Sequence, residues 1–314
     1  MNKTDIFRLN ERFIKDFGIK MDVGIGSTEF FDERLSLYDA HRPGLIQKYN
    51  EFKDYVSDNF KTMDEYYVQR NNFVNSLISD QEERQDKFGL KGNSLDEYKI
   101  SQDNISSAAI YNESNLNKTL ISVDLKSASF QALKLFNPEI VRNAVDYPSY
   151  VKMLTDYKYF DNKRIRSTNF GKTCNKQIYK IEKFITRKVV DIVLNYEDIS
   201  KIVCFNSDEV IFYKTDNAEK ILADIKTLSL TSGIVFDEEE FYLTKINGIS
   251  KGFLKHITDI KTNEKRIDIC GVSAINTTFV LCSLYDKEIL PSYLYFKDND
   301  NLLCKFVEYP KVTC

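Results

Sequence analysis

One stretch in the second half of the chain leaves little choice of local fold: KIVCFNSDEVIFY, Lys201–Tyr213. Lys201–Phe205 and Val210–Tyr213 are short runs rich in β-branched and aromatic side chains, and the polar Asn206-Ser207-Asp208-Glu209 separates them. The pattern predicts two strands folded into a buried antiparallel hairpin with a carboxylate pair, Asp208 and Glu209, at its tip. A further apolar strand, Thr119–Lys126 (TLISVDLK), closes on another acid, Asp124. A helix is expected directly after it, from Ser127 to Phe136, stopped by Asn137-Pro138.

Residues 1–115 read as largely helical. Leu45–Phe60 sets Leu45, Ile46, Tyr49, Phe52, Tyr55 and Val56 at helical spacing, and Met63–Leu77 repeats the pattern with Tyr66, Tyr67, Phe73, Val74 and Leu77. Aromatic stripes at this spacing predict packed core faces rather than a cofactor box. Gly89–Ser94 reads as a loop. Val23-Gly24-Ile25-Gly26-Ser27 lacks the lysine and hydroxyl residue of a phosphate loop and reads as a turn. Residues 116–236 hold the strand, the hairpin and two further helices, about Lys176–Asn195 and Asn217–Leu228. From 237 to 314 the texture turns β-rich: Phe241–Leu243, Gly252–Leu254, Arg266–Ile269, Thr278–Leu281 and Tyr293–Phe296 are strand-like runs between polar turns. The expectation is an α+β chain with a helical N-terminal part, a mixed middle and a β-rich C-terminal part.

At 314 residues there is material for one large domain or two ordinary ones, with a sizeable core. The formal net charge is −3, so any polyanion must meet a local basic patch rather than a global excess. Six scattered cysteines, none in a Cys-x-x-Cys pair, and only His41 and His256 beside them argue against a zinc site. They read as free thiols of a reducing compartment. Neither a secretion-type apolar segment near the start nor a run of about 18 apolar residues occurs, which predicts a cytoplasmic protein without a membrane partner.

The local basic patch is DNKRIRSTNFGKTCNK, in which Lys163, Arg164, Arg166, Lys172 and Lys176 fall within 14 positions. As a helix it aligns Lys163, Arg166, Phe170 and Cys174 along one face at steps of three and four. Cations along a helix suit a triphosphate, and an aromatic on the same face can stack on a base. Arg166 stands 42 positions from both Asp124 and Asp208. Strand-acid, basic helix and hairpin-acids in that order can bring three carboxylates to one edge of an antiparallel sheet. Clustered carboxylates repel unless a cation sits among them, and Mg2+ takes a few carboxylates while leaving positions for phosphate oxygens. Plainer chemistry covers the same residues: Asn206-Ser207-Asp208 suits a turn, Asp124 suits the cap of the next helix, and a charge run suits a solvated face. Lys251, Lys255, Lys261, Lys265 and Arg266, near Phe253, form another basic set, fit for a nucleic-acid backbone or for water.

Together these motifs resemble those of right-handed nucleic-acid polymerases with a palm domain. Ile121–Ser127 resembles the strand-borne motif A. Arg166-Ser-Thr-Asn169-Phe170-Gly171 resembles the Lys-x-x-Asn-Phe-Gly fingers helix of family A DNA polymerases, and Ser207-Asp208-Glu209 their His-Asp-Glu hairpin. The resemblance implies an antiparallel palm-type (ferredoxin-like) sheet and template-directed nucleotidyl transfer by two metal ions. It implies that Asp124 and Asp208 hold Mg2+ or Mn2+ and that Glu209 assists. Lys163, Arg164, Arg166, Asn169, Phe170 and Lys172 would bind the nucleoside triphosphate, with Arg166 at the triphosphate and Phe170 near the base. DNA or RNA primer–template is the implied partner. Ser129 stands where the family has a motif A glutamate, Ser207 where it has histidine, and Cys174-Asn175 where it has Tyr-Gly. Val123-Asp124 with Phe130, and Ser207-Asp208-Glu209, also resemble the palm of the tRNA-histidine guanylyltransferase group, which implies 3′–5′ addition instead. A catalytically silent palm-like accessory module is the non-enzymatic alternative.

Overall fold

The computed structural model describes residues 2–90, 95–100, 110–173 and 176–314. The helical N-terminal part consists of α1 (Lys3–Asp16), α2 (Phe31–His41), α3 (Leu45–Asn59) and α4 (Met63–Lys87). Asn2 caps α1 by accepting from the Asp5 amide, and Thr62 caps α4 by accepting from that of Glu65. The aromatic stripes are core faces: Tyr49, Phe52, Val56, Tyr66, Phe73, Val74 and Leu77 are all buried. Val23–Ser27 forms one short 3-10 turn. The loop expected over Gly89–Ser94 falls largely outside the described residues, as does Cys174.

The middle of the chain runs β1 (Leu120–Leu125), α5 (Ala128–Phe136), α6 (Tyr147–Lys152), α7 (Lys163–Thr173), α8 (Lys176–Leu194), β2 (Ile202–Phe205), β3 (Glu209–Tyr213) and α9 (Ala218–Ser232). Then come β4 (Phe236–Lys245), β5 (Phe253–Asp259), β6 (Lys265–Cys270), α10 (Ala274–Leu284) and the small pair β7 (Tyr295–Lys297) and β8 (Leu303–Lys305). Among the described residues β1–β6 make one sheet in the order β2-β3-β1-β4-β5-β6, with every neighbouring pair antiparallel. Its first four strands follow the path strand, helices, strand, strand, helix, strand, with β1 and β3 central. That is the split β-α-β arrangement of ferredoxin-like sheets. Strands β5 and β6 extend it as a meander.

Alternation along the strands divides the sheet into two faces. Ile121, Val123, Leu125, Val210, Phe212 and Phe236 join the main core with Phe130, Ile185, Val189 and Ile225 of the helices. That core is continuous from Leu9 of α1 to Tyr293 near the C-terminus. The opposite face carries a small apolar cluster, including Leu120, Ile211, Phe241, Leu243 and Phe253. One expected strand is a helix: Thr278–Leu281 lies inside α10. A short β-branched and aromatic run does not by periodicity tell a strand from an all-round buried helix. Here the Ser273 side chain, accepting from the Asn276 amide, starts a helix whose residues Thr277–Cys282 are all buried. No helix among the described residues is long and apolar enough to cross a membrane.

Candidate active site at the carboxylate edge of the sheet

The hairpin forms because Asn206 donates its amide to the Glu209 carbonyl at 2.8 Å, closing the turn between β2 and β3. Its tip is fixed from two sides. Leu125 at the end of β1 donates to the Asp208 carbonyl at 2.6 Å. From α8 beneath, Thr186 Oγ1 stands 3.1 Å from the Asn206 carbonyl and 3.3 Å from that of Ser207. The backbone of Asp208 is thereby tied to the strand that carries Asp124.

Register then sets the side chains. Asp124 pairs with Glu209 on β3 and with Asp237 on β4, while Ser122 pairs with Ile211 and Glu239. Directly opposed residues on antiparallel strands share a face. Asp124, Glu209, Asp237 and Glu239 therefore project from the face that the helices α5, α8 and α9 leave uncovered. Ser122 Oγ donates to Glu209 Oε1 at 2.6 Å, fixing that carboxylate. Lys126 Nζ lies 3.5 Å from Asp237 Oδ1, and Glu239 is held by Lys255 at 3.4 Å and by Arg266. Asp124 has no such partner among the described residues. Burial, and then the charges of Glu209, Asp208, Asp237 and Glu239, push its carboxyl up to about 7. The same withdrawal from water, with the Glu209 and Asp208 charges, pushes the neighbouring Cys204 thiol up to about 11.

Helix α7 approaches the end of β1. Arg166 Nη1 donates to Ser127 Oγ at 3.0 Å and lies over the Tyr147 ring, 5.7 Å from its centroid. Ser127 adopts a left-handed conformation, φ 54°, at the turn from β1 into α5, which a serine takes only where its surroundings hold it. It is Ser127, not Asp124, that sits at the N-cap of α5, and no side chain caps that helix. The remainder of the α7 motif divides. Lys163, Arg164 and Lys172 are exposed. Arg164 lines a cleft between α1 and β6, alongside Lys20 and Asp268, and this cleft contains none of the three motif acids. Phe170 is buried, its ring 5.7 Å from that of Tyr147. Asn169 is 0% exposed, and neither atom of its amide has a hydrogen-bond partner. The structure thus sets Asp124 opposite Glu209 with Asp208 at the adjoining hairpin tip, while Arg166 reaches Ser127 beyond the end of β1 and Asn169 and Phe170 are buried.

Sequence reasoning missed four contributors: Ser122, Asp237, Glu239 and Glu182. The β4 pair was marked by acids at alternate positions of the strand DEEEF. Glu182 was marked by interrupting the apolar stripe Ile178, Ile181, Ile185, Val189 of α8. It is buried, accepts from Ser129 Oγ at 2.7 Å, and is shifted upward by burial, with the Asp208 charge adding to the shift. Among the described residues no three His, Cys, Asp or Glu side chains are gathered into a metal-holding group. Comparison of the chain with protein-family models, with curated proteins and with solved structures finds no match.

Proposed function

We propose that this chain is a palm-type nucleotidyltransferase, extending DNA or RNA from nucleoside triphosphates. Its support is the convergence of carboxylates from separate strands: Asp124 opposite Glu209, with the hairpin residue Asp208 close enough to raise the Asp124 proton affinity. Strongly shifted carboxyls of this kind concentrate at functional sites. The reaction joins a nucleic-acid hydroxyl to the α-phosphorus of the nucleotide, breaks the bond to pyrophosphate and releases one proton. With no cation bound, Asp124 holds a proton more tightly than an ordinary aspartate; as a cation ligand it would be ionised, and the proton of the hydroxyl would pass to solvent. Glu209 is oriented by Ser122, and exposed Asp208 leaves its oxygens free of the core. The exposed cations Lys163 and Lys172, with half-buried Arg166, put positive charge on α7 for a triphosphate.

Carboxylate oxygens are the hard donors that Mg2+ or Mn2+ takes, and a cation would relieve their mutual repulsion; as they stand, the three acids are not gathered into a metal-holding group, so binding would have to draw them together. Bound there, such an ion supplies charge neutralisation for the attacking hydroxyl and the departing pyrophosphate. Asp124 and Asp208 would hold it, with Glu209 assisting.

The test is incorporation of labelled ribo- and deoxynucleotides on DNA and RNA primer–templates with Mg2+ or Mn2+. Asp208→Ala is expected to lose nearly all incorporation while keeping its circular dichroism and melting temperature. Full activity in that variant would overturn the site. Label at a 5′ end rather than a 3′ end would move the chain to 3′–5′ addition. The inward burial of Phe170 and Asn169 favours a second reading, a silent palm-like accessory module. That reading requires no incorporation under any condition.

A further inference from the structure

Strands β4–β6 have another surface, facing away from the carboxylates. Tyr242 and His256 are register partners on β4 and β5. By alternation Tyr242 points opposite to Glu239 and Phe241. The two rings stack, centroids 4.5 Å apart and planes within 3°. His256 Nε2 lies 3.0 Å from Thr244 Oγ1, a contact that restrains the imidazole. Tyr242 nevertheless remains 44% exposed, a large aromatic surface kept at the surface by a ring behind it.

This pair lines a cleft of about 990 Å³ together with residues 40–43, Lys48 and Tyr285. Arg42, Lys48, Lys265 and Arg266 line it, against the two carboxylates Glu264 and Asp268. Arg266 pairs with Glu239 and Asp268. Arg42, Lys48 and Lys265 are exposed and, among the described residues, have no ion-pair partner. Burial lowers the proton affinity of both His41 and His256, so the lining carries its positive charge on lysine and arginine at neutral pH.

An aromatic platform beside unpaired cations matches a ligand that offers flat rings and phosphates at a regular spacing. A simple anion would leave the stacked pair unused, and an apolar ligand would leave the cations unused. We propose that this cleft binds single-stranded nucleic acid, stacking a base on the Tyr242–His256 pair while Arg42, Lys48 and Lys265 meet the phosphates. The site lies on the other face of the sheet from Asp124 and does not depend on nucleotidyl transfer there.

The test uses the full chain in EDTA with fluorescein-labelled oligothymidylate or oligouridylate of about twelve nucleotides, a length within the range that single-strand grooves cover. Anisotropy should report binding that weakens steeply with salt. Tyr242→Ala is expected to weaken it about five-fold or more, and Tyr242→Phe to retain it. Arg42→Ala with Lys265→Ala should lower both the affinity and the salt dependence. Melting temperatures of the variants establish that they fold. In the wild type, irradiation of a 5-iodouracil oligonucleotide should attach it to Tyr242 or His256, read by peptide mass mapping. Unchanged affinity in a folded Tyr242→Ala variant, attachment only elsewhere, or binding of mononucleotides without oligonucleotides would each overturn the proposal. A chain inactive in nucleotide incorporation leaves all of these expectations standing.

Discussion

Charge on Asp124 at neutral pH costs the fold free energy, because Glu209, Asp208, Asp237 and Glu239 act on a side chain already withdrawn from water. The proton belongs to this cluster of acids as much as to one residue. Its folded pKa is raised to about 7 from an ordinary aspartate value. The folded state therefore binds this proton more tightly than the unfolded chain. The resulting stability is complete only below the ordinary aspartate value of 3.8 and is lost progressively as pH rises from there through about 7. Asp124→Asn removes the ionisation. It should raise the melting temperature by about 2 °C or more at pH 8, the shift that roughly 1 kcal/mol makes in a large domain. At pH 5 the gain should be smaller, because the unfolded aspartate, with its ordinary value of 3.8, is ionised there while the folded one still holds its proton. Added Mn2+ should stabilise the wild type at pH 8 more than the variant. Equal shifts at both pH values would mean that the neighbouring acids do not act on Asp124.

Among the elements, α7 holds an unusual conflict. Local chemistry starts it well: the Asn162 side chain accepts from the Ile165 amide at 3.0 Å. One turn beyond Arg166, however, the helix buries Asn169 with its whole amide unpartnered. A buried amide without partners costs about 1–3 kcal/mol, and in a native protein such a group calls for an explanation. Asn169→Leu, similar in size and without polar atoms, is expected to raise unfolding free energy by about 1 kcal/mol in urea melts. A loss of stability instead would mean that the amide has partners in solution. The hairpin is the opposite case. Turn, strand pairing and the Thr186 support from α8 agree with one another, so its carboxylates stand on a rigid base.

At the scale of the whole molecule, the helical and C-terminal parts are joined by a buried cation. Arg34 on α2 is 1% exposed. It donates to Thr278 Oγ1 on α10 at 2.6 Å and to the carbonyls of Ser292 at 3.0 Å and Tyr295 at 2.9 Å. Asp22 receives the Lys297 amide at 2.9 Å in the same region. Residues more than 240 positions apart thus share one interior with the sheet. Arg34→Met would strand a hydroxyl and two carbonyls, each costing about 1–3 kcal/mol if unpaired. The expected loss is about 3 kcal/mol, seen as a single shifted unfolding transition because the core is continuous. A variant that unfolds at the wild-type urea concentration would show that the guanidinium holds nothing in place.

The hairpin, β1 and the helices α3, α4 and α8 were legible from residue order, because period-2 and period-3.6 apolar patterns are local properties. So were Asp124, Asp208 and Glu209 as acids at strand ends, and Arg166 as part of a basic helix between them. Strand partners were not: Asp237 and Glu239 join the acidic edge only through the pairing of β4 with β1, more than 100 positions away. Periodicity likewise put Phe170 on a helix face with Lys163 and Arg166, and the resemblance added Asn169, without saying that both are packed inward. The α10 segment misled for the same reason, since a short apolar run buried on every side has no polar face to mark its period. A linear chain specifies which side chains share a strand or helix face; what that face meets depends on long-range packing, which no local pattern encodes.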